Sequence, residues 1–305
     1  MTQSFDMLTM AATPFTPDGK IDEGGLRAHL QRLVNANNGV YLAGGGAGEG
    51  HALSPEELRR VCEIGVEECK GKVPTYCNPR EGRSAEDVYR YAREAVAAGV
   101  DMVQIYQVEA GHGMHPTPIE QNAYFRELLE AIDYPVAISI HHKAGFHPSP
   151  EFLATLKKYF PQIQAINVMG MPVSFFVELR DVMPTDVRLY TGAHSLGQWL
   201  ALGASGCLQA EGNIIPKSCR ALIDTWALSD IQGFSRHTEF FVRFSMIVNK
   251  WAPSTARWVK MALRVLDLPG GKGPLRLPYI MPEPDEQQRM LHAFKQLGVR
   301  EVERL

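Results

Sequence analysis

Short apolar or β-branched runs alternate with longer amphipathic segments about eight times along this 305-residue chain, and no single motif constrains the fold as strongly. The strand-like runs fall at 7–13, 39–44, 73–78, 101–107, 135–141, 163–168, 187–192 and 206–211. Helical patterns lie between them at 23–37, 54–70, 84–98, 118–132, 149–159, 172–183, 195–203 and 215–228. Ser54-Pro55-Glu56-Glu57 marks one helix start, a serine cap followed by proline at the first helical position. Strand-then-helix units repeated in this way predict an α/β fold, a (β/α)8 TIM barrel whose site lies at the C-terminal ends of the strands. Further helical patterns at 232–251, 254–267 and 284–298, with PGGKGPLRLPYIMPEP between the last two, predict a helical extension rather than a second domain. The expected organisation is a barrel over 1–230 and a C-terminal helical extension over 231–305.

Composition narrows the partners. With 45% hydrophobic and 21% charged residues the chain can fill a large core, and a net charge of -3 supplies no basic stripe for nucleic acid. The five cysteines, Cys62, Cys69, Cys77, Cys207 and Cys219, are odd in number and form no CxxC pair, which fits a reducing, cytoplasmic setting. MTQSFDMLTMAATPF lacks a basic region followed by an apolar run, and no stretch of about 18 apolar residues occurs, so neither export nor a membrane span is expected.

Strand parity locates the mouth. In PVAISIH, Val136, Ile138 and Ile140 are assigned to the helix-facing side, which turns Ala137, Ser139 and His141 toward the barrel axis. Ala165 and Asn167 of the next strand lie beside them, so His141 and Asn167 should share the mouth. Seven of the ten histidines, His51, His112, His115, His141, His142, His147 and His194, fall in or at the start of loops on that face; His29, His237 and His292 fall in helical patterns.

TPFTPDGKID (13–22), GGAGEGHALSPEE (45–57), DYPVAI (133–138), LGASGCLQAEGNIIP (202–216) and VKMALRVLDLPGGKGPLRLP (259–278) resemble the dihydrodipicolinate synthase / N-acetylneuraminate lyase family. The resemblance spans nearly the whole chain. It implies a (β/α)8 barrel with a C-terminal helical region, assembled as a homodimer or homotetramer, that condenses or cleaves 2-oxo acids. In that family a lysine on the sixth strand forms a Schiff base with the oxo carbon, and a tyrosine ending the fifth strand relays protons. Here the alignment sets Asn167 at the lysine and Ser139 at the tyrosine, with Gly46 and Ala47 at a pair of hydroxyl residues after strand two. The tyrosine expected after strand four falls in VEAGHG (108–113), which has none. An amide forms no iminium, so the family's covalent chemistry has no amine at residue 167.

Three functional classes stay open. The first is a lyase or hydro-lyase acting on a small 2-oxo or related carboxylic acid without that imine. His141 or His142 serves as acid and base, and Asn167 and Ser139 donate hydrogen bonds to a developing enolate oxygen. Lys143 falls where the family carries a basic residue that anchors the substrate carboxylate; a relocated imine on Lys143 and a plain surface lysine are its alternatives. Gly46, Ala47 and Glu49 border the substrate in this reading, Glu49 chiefly by supporting its loop. In the second class His112, His141, His194 and Glu109 hold a metal, although no HxH or HExxH spacing occurs. The third is a non-catalytic descendant that binds a small acid as a sensor or scaffold. No cofactor is expected. Asn213 reads as a turn or capping residue, and Tyr76 and Cys77 read as core.

Overall fold

A computed structural model describes residues 5–80, 82, 84–107, 115–141, 146–251 and 255–305. Eight parallel strands close into a barrel in sequence order: β1 Asp6–Met10, β2 Gly39–Leu42, β3 Thr75–Cys77, β4 Met102–Tyr106, β5 Val136–His141, β6 Ile163–Met169, β7 Arg188–Gly192 and β8 Gly206–Gln209. After each strand comes a helix: α1 Glu23–Asn35, α2 Pro55–Cys69, α3 Ala85–Ala98, α4 Pro118–Ala131, α5 Pro150–Tyr159, α6 Val173–Val182, α7 Leu196–Ala201 and α8 Pro216–Ala227. The expected (β/α)8 architecture is present. Strands are shorter than the apolar runs that announced them: β3 keeps three residues of 73–78, and β8 gives way to a 3-10 turn over Glu211–Asn213. α9 Ile231–Val248, α10 Thr255–Val265, α11 Pro284–Leu297 and a short α12 Val299–Glu303 complete the described elements, and α12 lies beyond the last sequence pattern. Among the described residues no helix is long and apolar enough to cross a membrane.

Local chemistry sets the helix starts. Ser54 and Thr117 each accept from the backbone N–H three residues on, and Glu57 and Glu120 bond back to the cap, giving two reciprocal capping boxes with proline at the first helical position. Ser149 caps α5 in the simpler way, accepting from the Phe152 N–H.

The barrel interior is filled by one residue from every strand, Leu8, Tyr41, Tyr76, Met102, Ala137, Ala165, Tyr190 and Leu208. Small residues on β5 and β6 therefore face large ones elsewhere on the ring, which leaves room for the Tyr41 ring to reach the β6 side. A larger core between strands and helices holds Val136, Ile138, Ile140, Ile166 and Val168. Sidedness on β6 depends on an irregularity: Val136 pairs with Ile163 but Ala137 pairs with Ala165, so Gln164 is an extra residue. The bulge lets Ile163 and Ile166 both face outward while Ala165 and Asn167 face in.

The barrel's seam joins β1 to β8, from Asp6 opposite Gly206 to Thr9 opposite Gln209. Gly206 has φ +150°, and a β-carbon there would lie 2.0 Å from the Asp6 carbonyl oxygen, so only glycine fits. Asn213 bridges the seam from above with all four of its hydrogen bonds made. Its Oδ1 accepts from the Ala12 N–H and from His29 Nε2, and its Nδ2 donates to the Met10 and Ala210 carbonyls. The C-terminal helices close against the barrel's helical layer: Phe244 of α9 stacks on Phe294 of α11, and Glu303 accepts from the Lys217 and Ser218 N–H groups that open α8.

Candidate active site

Ser139 and Asn167 are register partners on β5 and β6, and one step above them His141 pairs with Met169. Parallel pairing therefore puts the two lower side chains next to each other inside the barrel and the two upper ones at its rim. Ser139 is 2% exposed and Asn167 fully enclosed, whereas His141 and Met169 are half-buried. Burial at this point therefore increases from a half-buried rim to an enclosed floor.

A row of polar side chains runs from that floor across the barrel. Asn167 Nδ2 donates to the Tyr41 hydroxyl at 3.1 Å and to Gln104 Oε1. Gln104 Nε2 donates to Asn78 Oδ1 at 2.8 Å, and Asn78 Nδ2 donates to the Tyr106 hydroxyl at 2.8 Å. Gln104 and Asn78 each accept from one neighbour and donate to the next, so the orientations of the amides are tied together. Both N–H bonds of Asn167 are consumed in this arrangement. The expected donor role toward an enolate oxygen has no N–H left at Asn167. Asn167 Oδ1 is buried without a hydrogen-bond partner. Burial raises the Tyr41 phenol well above its usual range, which keeps it a neutral hydroxyl.

A second polar group organises the rim. Gln107 accepts from the His141 N–H at 3.0 Å through Oε1, and its Nε2 donates to the His141 carbonyl and to the Phe146 carbonyl. The same Nε2 lies 3.3 Å from His147 Nδ1. One buried amide thus pins both ends of the β5–α5 connection. His142 and Lys143 lie outside the described residues, as do Glu109 and His112.

The loop after β2 is held from below. Glu49 is fully buried with φ 50°, its carboxylate paired with Lys260 of α10 and accepting from the Arg276 N–H at 2.8 Å. Lys260 Nζ also donates to the Pro274 carbonyl and sits 3.9 Å from the centre of the Phe15 ring. Burial, only partly offset by the Glu49 carboxylate, brings the Lys260 ammonium down to about 8. Arg276 extends the clamp with two bonds to the Glu57 carboxylate and one each to the Ala52 and Gly19 carbonyls. Ala47 is packed into the outer core, and Gly46 lies against Thr255.

The remaining described histidines do not gather on one point. His51 packs edge-on against Tyr279, exposed His194 against Phe241, and His115 is exposed. Among the described residues no three His, Cys, Asp or Glu side chains converge in a metal-holding group. Asn78, Gln104, Tyr106 and Gln107 were not singled out in the sequence. Met102, Gln104 and Tyr106 share the inward parity of β4, so the alternation rule applied to β5 would have found two of them.

The family model described as the dihydrodipicolinate synthetase family matches residues 3–297. A 4-hydroxy-tetrahydrodipicolinate synthase of Symbiobacterium thermophilum is 25% identical over 304 residues, covering 96% of this chain and 98% of that protein. One from Methanopyrus kandleri is 26% identical over 294 residues, covering 94% of each. Among solved structures, YagE, an E. coli K12 prophage protein of the dihydrodipicolinic acid synthase family in complex with pyruvate, superposes with TM-score 0.87 at 19% identity, covering 97% of this chain and 99% of that one. A monomeric dihydrodipicolinate synthase variant superposes with TM-score 0.86 at 16% identity, covering 98% of each chain. The fold is the same in both.

Proposed function

The chain belongs to the dihydrodipicolinate synthetase family, and from that membership we propose that it is a lyase or hydro-lyase for a small 2-oxo or related carboxylic acid that works without a Schiff base at residue 167. The observation that carries this reading is the amide of Asn167 on the floor of the mouth, tied to Tyr41 and Gln104. An amide nitrogen has no basic lone pair to attack a carbonyl carbon, so turnover here is non-covalent. His141 at the rim is the acid and base, its backbone fixed by Gln107, with His142 as its alternate. Ser139 donates to the oxygen on which charge develops, and Lys143 anchors the carboxylate. Gly46 borders the substrate, Ala47 packs behind it in the outer core, and Glu49 acts from beneath by holding their loop against Lys260. A fold neighbour in complex with pyruvate favours a small acid as the class of ligand. Residues 1–230 form the catalytic barrel in this reading and 231–305 its helical extension.

Reductive trapping tests it. Incubation with pyruvate and borohydride, followed by peptide mass mapping, should leave every lysine unmodified. An adduct on Lys143, or on Lys260 beneath the second loop, would establish a relocated imine and end the non-covalent reading. Once a turned-over acid is found, His141→Ala should lower its turnover about a hundredfold or more with the fold intact, the range general acid–base catalysis supplies.

A further inference from the structure

We infer that the floor of the mouth selects a 2-hydroxy acid over the corresponding 2-oxo acid, because Asn167 presents an acceptor there and no donor. The inference rests on the small-acid reading above and narrows it to one substrate class.

The direction of the amide row decides the matter. Read as it stands, Asn167 gives both N–H bonds away, to Tyr41 and Gln104, and only Oδ1 is left, buried and without a partner. Reversing the row would turn Gln104 Nε2 and the Tyr41 O–H toward Asn167 Oδ1 and leave both Asn167 N–H bonds empty. One unfilled acceptor is the better solution than two unfilled donors, since orphaned buried N–H groups are the rarer defect. The row therefore ends in an oxygen. A carbonyl oxygen brought against it meets repulsion between lone pairs, whereas a hydroxyl donates to it.

Ser139 completes the recognition. Its hydroxyl lies beside Asn167 on the neighbouring strand. A ligand hydroxyl that donates to Asn167 Oδ1 keeps two lone pairs, one of which accepts from Ser139 Oγ. A 2-oxo oxygen uses Ser139 alone. A buried acceptor left empty is costly, so a ligand that fills it gains against one that does not.

Titration of the purified protein with the two lactate enantiomers and with pyruvate, followed by calorimetry or ligand-observed NMR, tests the inference. One lactate enantiomer should bind about tenfold more tightly than pyruvate, the ratio that one net neutral hydrogen bond supports. Asn167→Leu should erase that preference by weakening lactate while leaving pyruvate nearly unchanged. Should that variant not fold, Ser139→Ala must weaken both acids and leave the lactate preference standing. Pyruvate bound as tightly as lactate, with binding lost in His141→Ala, would overturn the inference and leave the small-acid reading in place. Saturation by neither acid would overturn both.

Discussion

Because His29 of α1 is fully enclosed and bonded through Nε2 to Asn213 Oδ1, it folds as the neutral ring. Burial first, and Arg32 nearby second, lower its pKa from 6.5 to about 3. The unfolded chain binds that proton more readily, so the contribution is present above the unfolded value and is lost as pH falls from 6.5 toward 3. Denaturation midpoints followed from neutral pH to about pH 5 should show a loss of roughly 1.4 kcal/mol per pH unit below the unfolded value. The slope should flatten in His29→Gln; an unchanged slope there would assign the acid sensitivity elsewhere. At the rim, Gln107→Leu should weaken acid binding as much as His141→Ala does, since it releases both ends of the β5–α5 connection together. Wild-type binding in that variant would make Gln107 a packing residue only.

At the scale of elements, the loop after β2 and helix α10 stand or fall together. Glu49→Ala would leave Lys260 enclosed among Phe15, Arg276 and Pro274 without its counter-charge, at a cost of about 3–5 kcal/mol. Glu49→Leu combined with Lys260→Met should recover much of that loss, because it removes the desolvation penalty along with the attraction. Chemical denaturation of the three proteins checks this, and a double variant no better than Glu49→Ala would show that the pair fixes the loop's shape. Eight strands and their helices were legible because apolar alternation and capping residues are local signals. The inward turn of Ser139 and Asn167 was legible for the same reason. What the sequence could not convey was contact across the barrel. Tyr41 meets Asn167 over 126 positions, and Lys260 meets Glu49 from an element outside the eight-fold repeat. Neither pairing leaves a trace in periodicity, and the direction of an amide row is a property of the row.

For the whole molecule, the helical extension leaves apolar side chains outside, among them Ile231 and Met246. A homodimer or homotetramer is the expected state, and light scattering that gave a stable monomer at micromolar concentration would refute it. Closure of the barrel carries a consequence for how the protein is made. A ribosome delivers β1 first, yet the strand that covers its second edge begins only at Gly206. For the whole of that interval the nascent chain offers an open edge at β1 and another at its newest strand, each able to pair with a neighbouring chain. Substitution of Gly206 would extend the exposure indefinitely, so its first symptom should be insoluble product during synthesis, ahead of any defect measurable in the finished barrel.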